Sequence, residues 1–308
     1  MAAQPDSDNA PPKKNTAARV AFAALHHPEY RRYYFALMPA QMGDSIEHVI
    51  SYWLLYQKFH SPVLAGFAVI SHWTPFLFFA VYFGALADRH DCRRVIQTAQ
   101  AMYALVSLTW GILFLTDTIQ VWHACALLVV HGMSGVLGQP ASQLIIHDIV
   151  GREHLQSAVR LNSTGRNIAV LFGPAVGGAT MLFFGGPVGL FINVLMYLPA
   201  IVYMFVLPYT GHSREESGSA RPARASLHGA IQLLRETAAN PTLLSMMLLG
   251  GATSLLVGNA YQAQMPEFAH DFGHDKQDWA YSVLLGANAA GAAVGGLLLE
   301  GTGWLRAN

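Results

Sequence analysis

The chain has 308 residues, of which 53% are hydrophobic and only 12% are charged, about half the charged fraction of an ordinary soluble domain. Its 18 basic and 18 acidic residues balance, so net charge indicates no nucleic-acid partner. The charges are clustered, and they separate uncharged runs of about 20 residues, the length that an α-helix needs to cross a lipid bilayer. Composition therefore predicts an all-α membrane protein embedded in a bilayer.

The N-terminal segment, residues 1–28, is polar and rich in proline. No apolar run with a small-residue cleavage site follows it, so we expect a disordered cytoplasmic tail rather than a cleaved signal peptide. The two cysteines, Cys92 and Cys125, fall in a basic loop and in an apolar run. Neither position indicates a disulfide framework or a zinc site.

Eight membrane-spanning helices are predicted along the chain. One uncharged run is too long for a single helix, and the glycines and proline at residues 185–187 divide it into a fifth and a sixth span. The predicted spans cover residues 33–57, 62–87, 95–116, 119–146, two within 167–210, 241–266 and 279–299.

These spans group into two membrane halves. Residues 29–210 hold six spans, and residues 241–308 hold two. The polar residues 211–240 between them predict a cytoplasmic linker, although one more cytoplasmic loop would have the same composition. With a cytoplasmic N-terminus, fifteen basic residues face inward and only Lys58 and Lys276 face outward. This asymmetry predicts a multi-pass protein of the bacterial inner membrane with its N-terminus inside.

The loop after the second span carries a spaced motif. Gly84 precedes Asp88 by four residues, and Arg89, Arg93 and Arg94 follow. Glycine allows close helix approach, and an aspartate at a helix end can accept bonds from facing helix N-termini and arginines. The motif resembles the signature between the second and third helices of major facilitator transporters. An ordinary basic loop is the alternative.

Two positions in this loop depart from the pattern. Asp91 stands where many members have glycine, and Cys92 stands where a basic residue is usual. An aspartate at the former position resembles the branch that contains the enterobactin exporter.

The fifth span carries a second motif, made of Gly173, Pro174, Gly177 and Gly178. It resembles the Gly-Pro motif in the fifth helix of antiporter-type members, although Ala169 replaces one glycine of the fullest version. In that family the motif accompanies export. Ordinary close packing of small residues is the alternative.

The resemblance implies two parallel six-helix halves with a substrate cavity near the midplane between them. Twelve helices are the norm of the family, and eight are predicted here, so the resemblance implies that residues 241–308 are an incomplete second half. We therefore expect the chain to be a fragment or a truncated product with little transport of its own.

Charges inside the spans are the strongest functional candidates. Asp44 and Glu47 are three residues apart, share one face of the first span and are candidate proton carriers. The alternative is that they face an outer vestibule or pair structurally with Arg166. Arg166 is itself a candidate for proton coupling or substrate binding. The alternative is that its side chain only extends from the helix to the cytoplasmic interface.

Uncharged polar residues inside the spans form a second group. His48, His72 and His131 are candidates for relaying protons or lining a cavity, against the alternative of hydrogen-bonded packing. The spacing of the histidines offers no clustered ligands within the spans, so no metal site and no cofactor are predicted. The amides that could contact substrate or join helices are Asn193, Asn259 and Gln262. His270 and Asp271, between the last two spans, are expected in a solvated loop.

The chain contains no GxxxxGK, HExxH or GxSxG motif, which argues against an ATP-driven pump and against an enzyme. The leading interpretation is a secondary transporter that exports a siderophore-like or drug-like small molecule as protons enter. The alternatives are an uptake symporter of the same fold, a membrane-embedded enzyme that uses the histidines, and a non-transporting remnant or scaffold.

Overall fold

The structure is a computed structural model that describes residues 22–213, 238–253 and 260–273, together with residue 235 and single positions between 280 and 291. Within these ranges every long element is an α-helix, which confirms the predicted fold class. The helices are α1 (Pro28–Phe59), α2 (Pro62–Ala87), α3 (Cys92–Leu115), α4 (Val121–Phe184), α5 (Gly186–Val206), α6 (Pro241–Thr253) and α7 (Ala260–Gly273).

Proline and capping residues determine where these helices begin. Proline stands in the first turn of α1, α2 and α5, where its missing N–H is not needed. The Ser61 hydroxyl accepts a bond from the Leu64 N–H at the start of α2. The Asp91 carboxylate accepts a bond from the Arg93 N–H at the start of α3. Both contacts satisfy backbone donors that the helix leaves unpaired.

Helix α4 is the largest departure from the predicted spans. Its 64 residues bend at Gly151, where φ is 68° and ψ is −179°, a conformation available almost only to glycine. The bend separates an N-terminal arm, residues 121–150, from a C-terminal arm, residues 152–184. The sequence placed a loop between residues 146 and 167, and that expectation is wrong because both arms remain helical through this region.

Four described helices are long and apolar enough to cross a membrane, namely α2, α3, α4 and α5. Helix α1 is long enough but less apolar, because it carries Asp44 and Glu47 within its middle turns. Large side chains such as Leu77 and Phe78 of α2 point outward and are 80% and 69% exposed. An apolar exterior of this kind suits contact with lipid.

The helices pack around α4, which contacts α1, α2 and α3, while α5 packs on α3 and α1. The arm after Gly151 approaches α1 closely. A Cβ atom added to Gly173 would lie 2.4 Å from the Ser45 Cβ, and one added to Gly177 would lie 3.3 Å from the Ile46 Cα. Only glycine therefore fits at position 173 without a shift of the helices, and position 177 is tightly packed as well.

The described part of the predicted tail is ordered. Residues 23–26 form a 3-10 turn, and the Ala24 N–H donates to the Ser157 hydroxyl at 3.1 Å. The disordered tail predicted for residues 1–28 is therefore wrong for residues 22–28, while residues 1–21 lie outside the described residues. The linker predicted for residues 211–240 lies mostly outside them as well.

Differences also appear beyond the linker. The single span predicted for residues 241–266 corresponds to α6 and the first half of α7, and residues 254–259 between them lie outside the described residues. Helix α7 continues to Gly273, so His270 and Asp271 lie in a helix rather than in the expected loop. The Tyr281 hydroxyl donates to the Val49 carbonyl at 3.2 Å, and its ring stacks on Trp53 at 4.7 Å.

Candidate functional site

A cavity of about 320 Å³ opens between α1, α2, α3 and both arms of α4. Its wall combines the predicted candidates Asp44, His48, His72 and Arg166 with aromatic side chains and amides. The convergence of polar and aromatic side chains in a concave surface is typical of a small-molecule site.

His131 connects the two intramembrane acids. It lies on the N-terminal arm of α4, and its Nδ1 is 2.7 Å from Glu47 Oε1, while its Nε2 is 2.9 Å from Asp44 Oδ1. The Glu47 side chain is 2% exposed and that of Asp44 is 30% exposed toward the cavity. The three side chains, called the triad below, therefore run from the cavity into the helix core.

The geometry of the triad implies a bound proton. A neutral imidazole has one N–H and one lone pair, so it can donate to only one of two carboxylates. Both nitrogens of His131 contact carboxylate oxygens, and each contact needs a hydrogen atom. A neutral imidazole between two ionised carboxylates lacks one of these hydrogen atoms. The triad therefore holds one additional proton, either on the ring or on one of the acids.

A polar chain continues inward from Glu47. Ser107 of α3 donates a hydrogen bond to Glu47 Oε2, and the Asn193 amide of α5 donates to the Ser107 hydroxyl at 2.9 Å. Ser107 and Asn193 are fully buried. Asn193 is a predicted candidate, but no sequence pattern indicates Ser107, because a single serine in an apolar span is not distinguished from other buried serines.

His48 and His72 lie beside the triad. The ring centroid of His48 is 4.6 Å from that of His131 and 4.9 Å from that of His72. One ring nitrogen from each of the three histidines lies within 4.8 Å of the other two. The expectation that the histidines inside the spans are not clustered is therefore wrong, since three separate helices bring them together.

This histidine cluster has the ligand type that a transition metal prefers. His48 Nδ1 lies 2.7 Å from the Asp44 carbonyl, so it donates there and leaves Nε2 as the free nitrogen. Both nitrogens of His131 already contact carboxylates. A metal ion would have to displace one of those contacts, and the arrangement described is better suited to holding a proton.

Arg166 lies at another part of the cavity wall, on the C-terminal arm of α4. Its guanidinium donates a long hydrogen bond to Gln139 Oε1 at 3.5 Å. Among the described residues no carboxylate lies within 4.0 Å of its guanidinium, so the structural pairing with Asp44 or Glu47 that the sequence left open does not occur here. Arg166 lies in the middle of a helix rather than at the end of one.

The motif loop joins α2 to α3 and contacts the segment after α5. Arg93 forms a bidentate pair with Asp91 and donates to the Leu207 carbonyl at 2.7 Å. The bonds from Arg93 keep the pKa of Asp91 below its ordinary value. In the same region Asp148 accepts the N–H groups of Gly211 and Ser213.

Asp88, the motif aspartate, ends α2 and is exposed. Among the described residues it has no side-chain hydrogen bond or ion pair, so the expected contacts with facing helix ends do not form within this half. Two of the predicted substrate amides cannot be placed either. Asn259 lies outside the described residues, and Gln262 lies in α7 with its side chain outside them.

The fold and the site define a polytopic helical protein with a polar cavity, and sequence comparison gives its family. Residues 19–306 match the model of the family described as transmembrane secretion effector. The chain therefore belongs to this family of major facilitator transporters. That class is not enzymatic, which confirms the prediction that the chain is not an enzyme.

The chain is also similar in sequence to individual bacterial transporters. The chain is 22% identical to the uncharacterized MFS-type transporter YfiS of Bacillus subtilis, over 75% of the chain and 56% of that protein. It is 21% identical to the staphyloferrin A transporter of Staphylococcus aureus over 54% of the chain and 43% of that protein. It is 24% identical to the multidrug efflux pump Tap of Mycobacterium tuberculosis over 84% of the chain and 62% of that protein.

A solved structure has the same fold. It is a bacterial homologue of the human lysosomal transporter Spinster in an inward-facing, unoccupied conformation, with a TM-score of 0.62 and 17% identity. The match covers 92% of this chain and 63% of the other. The chain thus spans less than two thirds of the length of each of these proteins.

Proposed function

We propose that the chain is part of a secondary transporter that exports a small siderophore-like or drug-like molecule across the bacterial inner membrane, driven by proton entry, with its N-terminus in the cytoplasm. The observation that carries the proposal is His131, which bridges Asp44 and Glu47 and requires a bound proton. Ionisable groups buried in membrane helices are functional candidates because burying them is costly.

The triad offers a path for that proton. Asp44 meets the cavity and receives a proton there. His131 accepts a proton from Asp44 through Nε2 and passes its Nδ1 proton to Glu47, whose second oxygen is held by Ser107. Each proton that the triad takes up changes its charge by one unit. A conformational change that exposes the cavity to alternate sides would couple this loading to transport.

Two further observations support export over uptake. The Gly-Pro motif, with Gly173 and Gly177 against α1, resembles that of antiporter-type members. One relative is named a multidrug efflux pump, which favours export. Another is named a staphyloferrin A transporter, which bears on the substrate class and not on direction. Accumulation of substrate in inside-out vesicles is expected under export, whereas accumulation in right-side-out vesicles would favour the uptake alternative.

The proton-coupling test uses the complete gene product in inside-out vesicles with an imposed proton gradient. We expect Asp44→Asn, Glu47→Gln and His131→Gln to abolish gradient-driven accumulation of test compounds but to preserve gradient-independent exchange. Glu153→Gln is the matched control, since Glu153 is an exposed acid of α4 outside the cavity. Unchanged gradient dependence in both acid variants would show that the triad does not carry the coupling proton.

A further inference from the structure

We infer that the cavity binds an organic anion through Arg166, an inference that rests on the proposed transport function and names its substrate class. An arginine within a membrane helix ordinarily pairs with a carboxylate or with backbone carbonyls. Arg166 has only the long contact with Gln139 among the described residues, and it is an exposed residue that lines the cavity. The described part of the chain leaves this cation available to a ligand.

The acids of the cavity do not supply its counter-ion. Asp44 Oδ1 contacts His131 Nε2, and Glu47 contacts His131 and Ser107. Arg166 lies seven residues before Gly173, which packs on Ser45 beside Asp44. Seven residues of helix correspond to about 10 Å. Among the described residues, the contacts of the two acids and the contact of Arg166 are therefore made with different partners, which gives the cavity a proton-binding part and a cationic part.

Amides near Arg166 offer further polar contacts. Gln41 Nε2 donates to Asn162 Oδ1 at 3.3 Å, and both side chains line the cavity with Gln139. The Gln41 Oε1 and Gln100 Oε1 atoms are buried and accept no hydrogen bond from the protein. A buried acceptor without a partner is costly, so a ligand that brings hydroxyl or N–H donors would satisfy both amides.

Aromatic side chains complete the cavity wall. Trp73 and Phe76 of α2 lie with ring centroids 5.8 Å apart, and Tyr103 of α3 lines the same space. Rings of this kind bind flat apolar groups. Together these features select a ligand that has three parts. An anionic group would bind the planar guanidinium of Arg166, a few hydrogen-bond donors would bind the amides, and an aromatic or apolar body would contact the rings.

Equilibrium binding of three ring-matched probes to the purified full chain tests this inference. The probes are 2-naphthoate, neutral 2-naphthamide and cationic 2-naphthylmethylammonium. We expect the wild type to bind 2-naphthoate at least about tenfold more tightly than the other two. Arg166→Gln should remove this preference, and Arg166→Lys should retain part of it, because lysine keeps the charge but not the bidentate geometry.

Arg160→Gln is the control, since Arg160 is an exposed arginine of the same helix outside the cavity. It should keep the wild-type preference. A wild type that binds all three probes equally, or prefers the cation, would overturn the inference, as would an Arg166→Gln variant that still prefers the anion. Probe binding is measured at equilibrium without a proton gradient, so a failure of anion binding here and a failure of proton coupling in the vesicle assay are distinguishable.

Discussion

Single residues inside the membrane helices contact partners far away in sequence. Asp44 and Glu47 were identifiable because charge is conspicuous in an apolar run, and their shared face follows from a spacing of three residues. Their contact with His131 could not be predicted, since it depends on how α1 packs on α4. Ser107 was missed for the same reason, because only its position opposite Glu47 distinguishes it from other buried serines.

The loop residue Asp91 caps a helix, a role that the sequence did not indicate. It was noted only as a departure from the family motif, and such a departure gives no reason to expect a helix cap. Asp91 both caps α3 and pairs with Arg93, which in turn holds the Leu207 carbonyl. The motif aspartate Asp88 has no such contact among the described residues. The two neighbouring acids therefore differ in what they stabilise.

We expect Asp91→Ala to lower the stability of the folded chain by about 1 kcal/mol or more, the usual cost of losing an N-cap. Asp91→Asn should cost less, because an amide oxygen still caps the helix while the ion pair is lost. Because Arg93 lowers the pKa of Asp91, the ionic contribution is full at neutral pH and disappears as the pH falls through that lowered pKa.

Thermal unfolding of the purified variants in detergent, measured across acidic and neutral pH, provides the readout. Asp88→Ala is the control and should unfold like the wild type. Equal losses in the variants at positions 88 and 91, or a pH-independent loss in Asp91→Asn, would contradict the assignment of the ion pair to Asp91.

At the scale of the helices, the predicted spans match α2 and most of α3 and α5, whose uncharged runs coincide with their length. The prediction failed for α4, because residues 147–166 carry charges and polar groups that are typical of a loop. A helix tolerates such residues wherever it extends beyond the bilayer, and composition alone does not distinguish the two cases. The Gly-Pro motif did predict close packing, and Gly173 and Gly177 lie against α1.

The contact between Gly173 and Ser45 gives a test of this packing. We expect Gly173→Ala to destabilise the chain by about 1–3 kcal/mol, because an added Cβ 2.4 Å from the Ser45 Cβ forces the helices apart. Gly66→Ala adds the same atom where nothing lies within 4 Å and should not destabilise.

Ser45→Gly removes the clashing atom, so it should restore much of the stability lost in Gly173→Ala. Thermal unfolding of the two single variants and the double variant measures this coupling. Additive losses would show that the two positions do not touch and that the helices approach elsewhere.

For the whole molecule, charge asymmetry and hydropathy were sufficient to predict a polytopic membrane protein, because the bilayer imposes length and apolarity on every crossing helix. They could not predict the cavity, since its wall combines side chains from four helices. The orientation in the membrane remains a prediction from the distribution of Lys and Arg.

Cysteine labelling in cells can measure that orientation. In a background lacking Cys92 and Cys125, Asp117→Cys, at the exposed turn between α3 and α4, should react with an impermeant reagent added outside. His90→Cys, in the exposed turn between α2 and α3, should react only after the membrane is opened. The opposite pattern would reverse the topology and with it the proposed direction of proton entry.

The bend at Gly151 constrains how this half can move. One residue joins the two arms of α4, and neighbouring Cα atoms are held about 3.8 Å apart, so these helix ends cannot separate and only the angle between the arms can change. His131 and Arg166 lie about 30 Å and 22 Å along their arms from this joint. A change of about 5° in that angle would move one against the other by about 2 Å, enough to break a hydrogen bond. The spacing between the proton-binding and cationic parts of the cavity is therefore sensitive to the backbone angles of a glycine that touches neither.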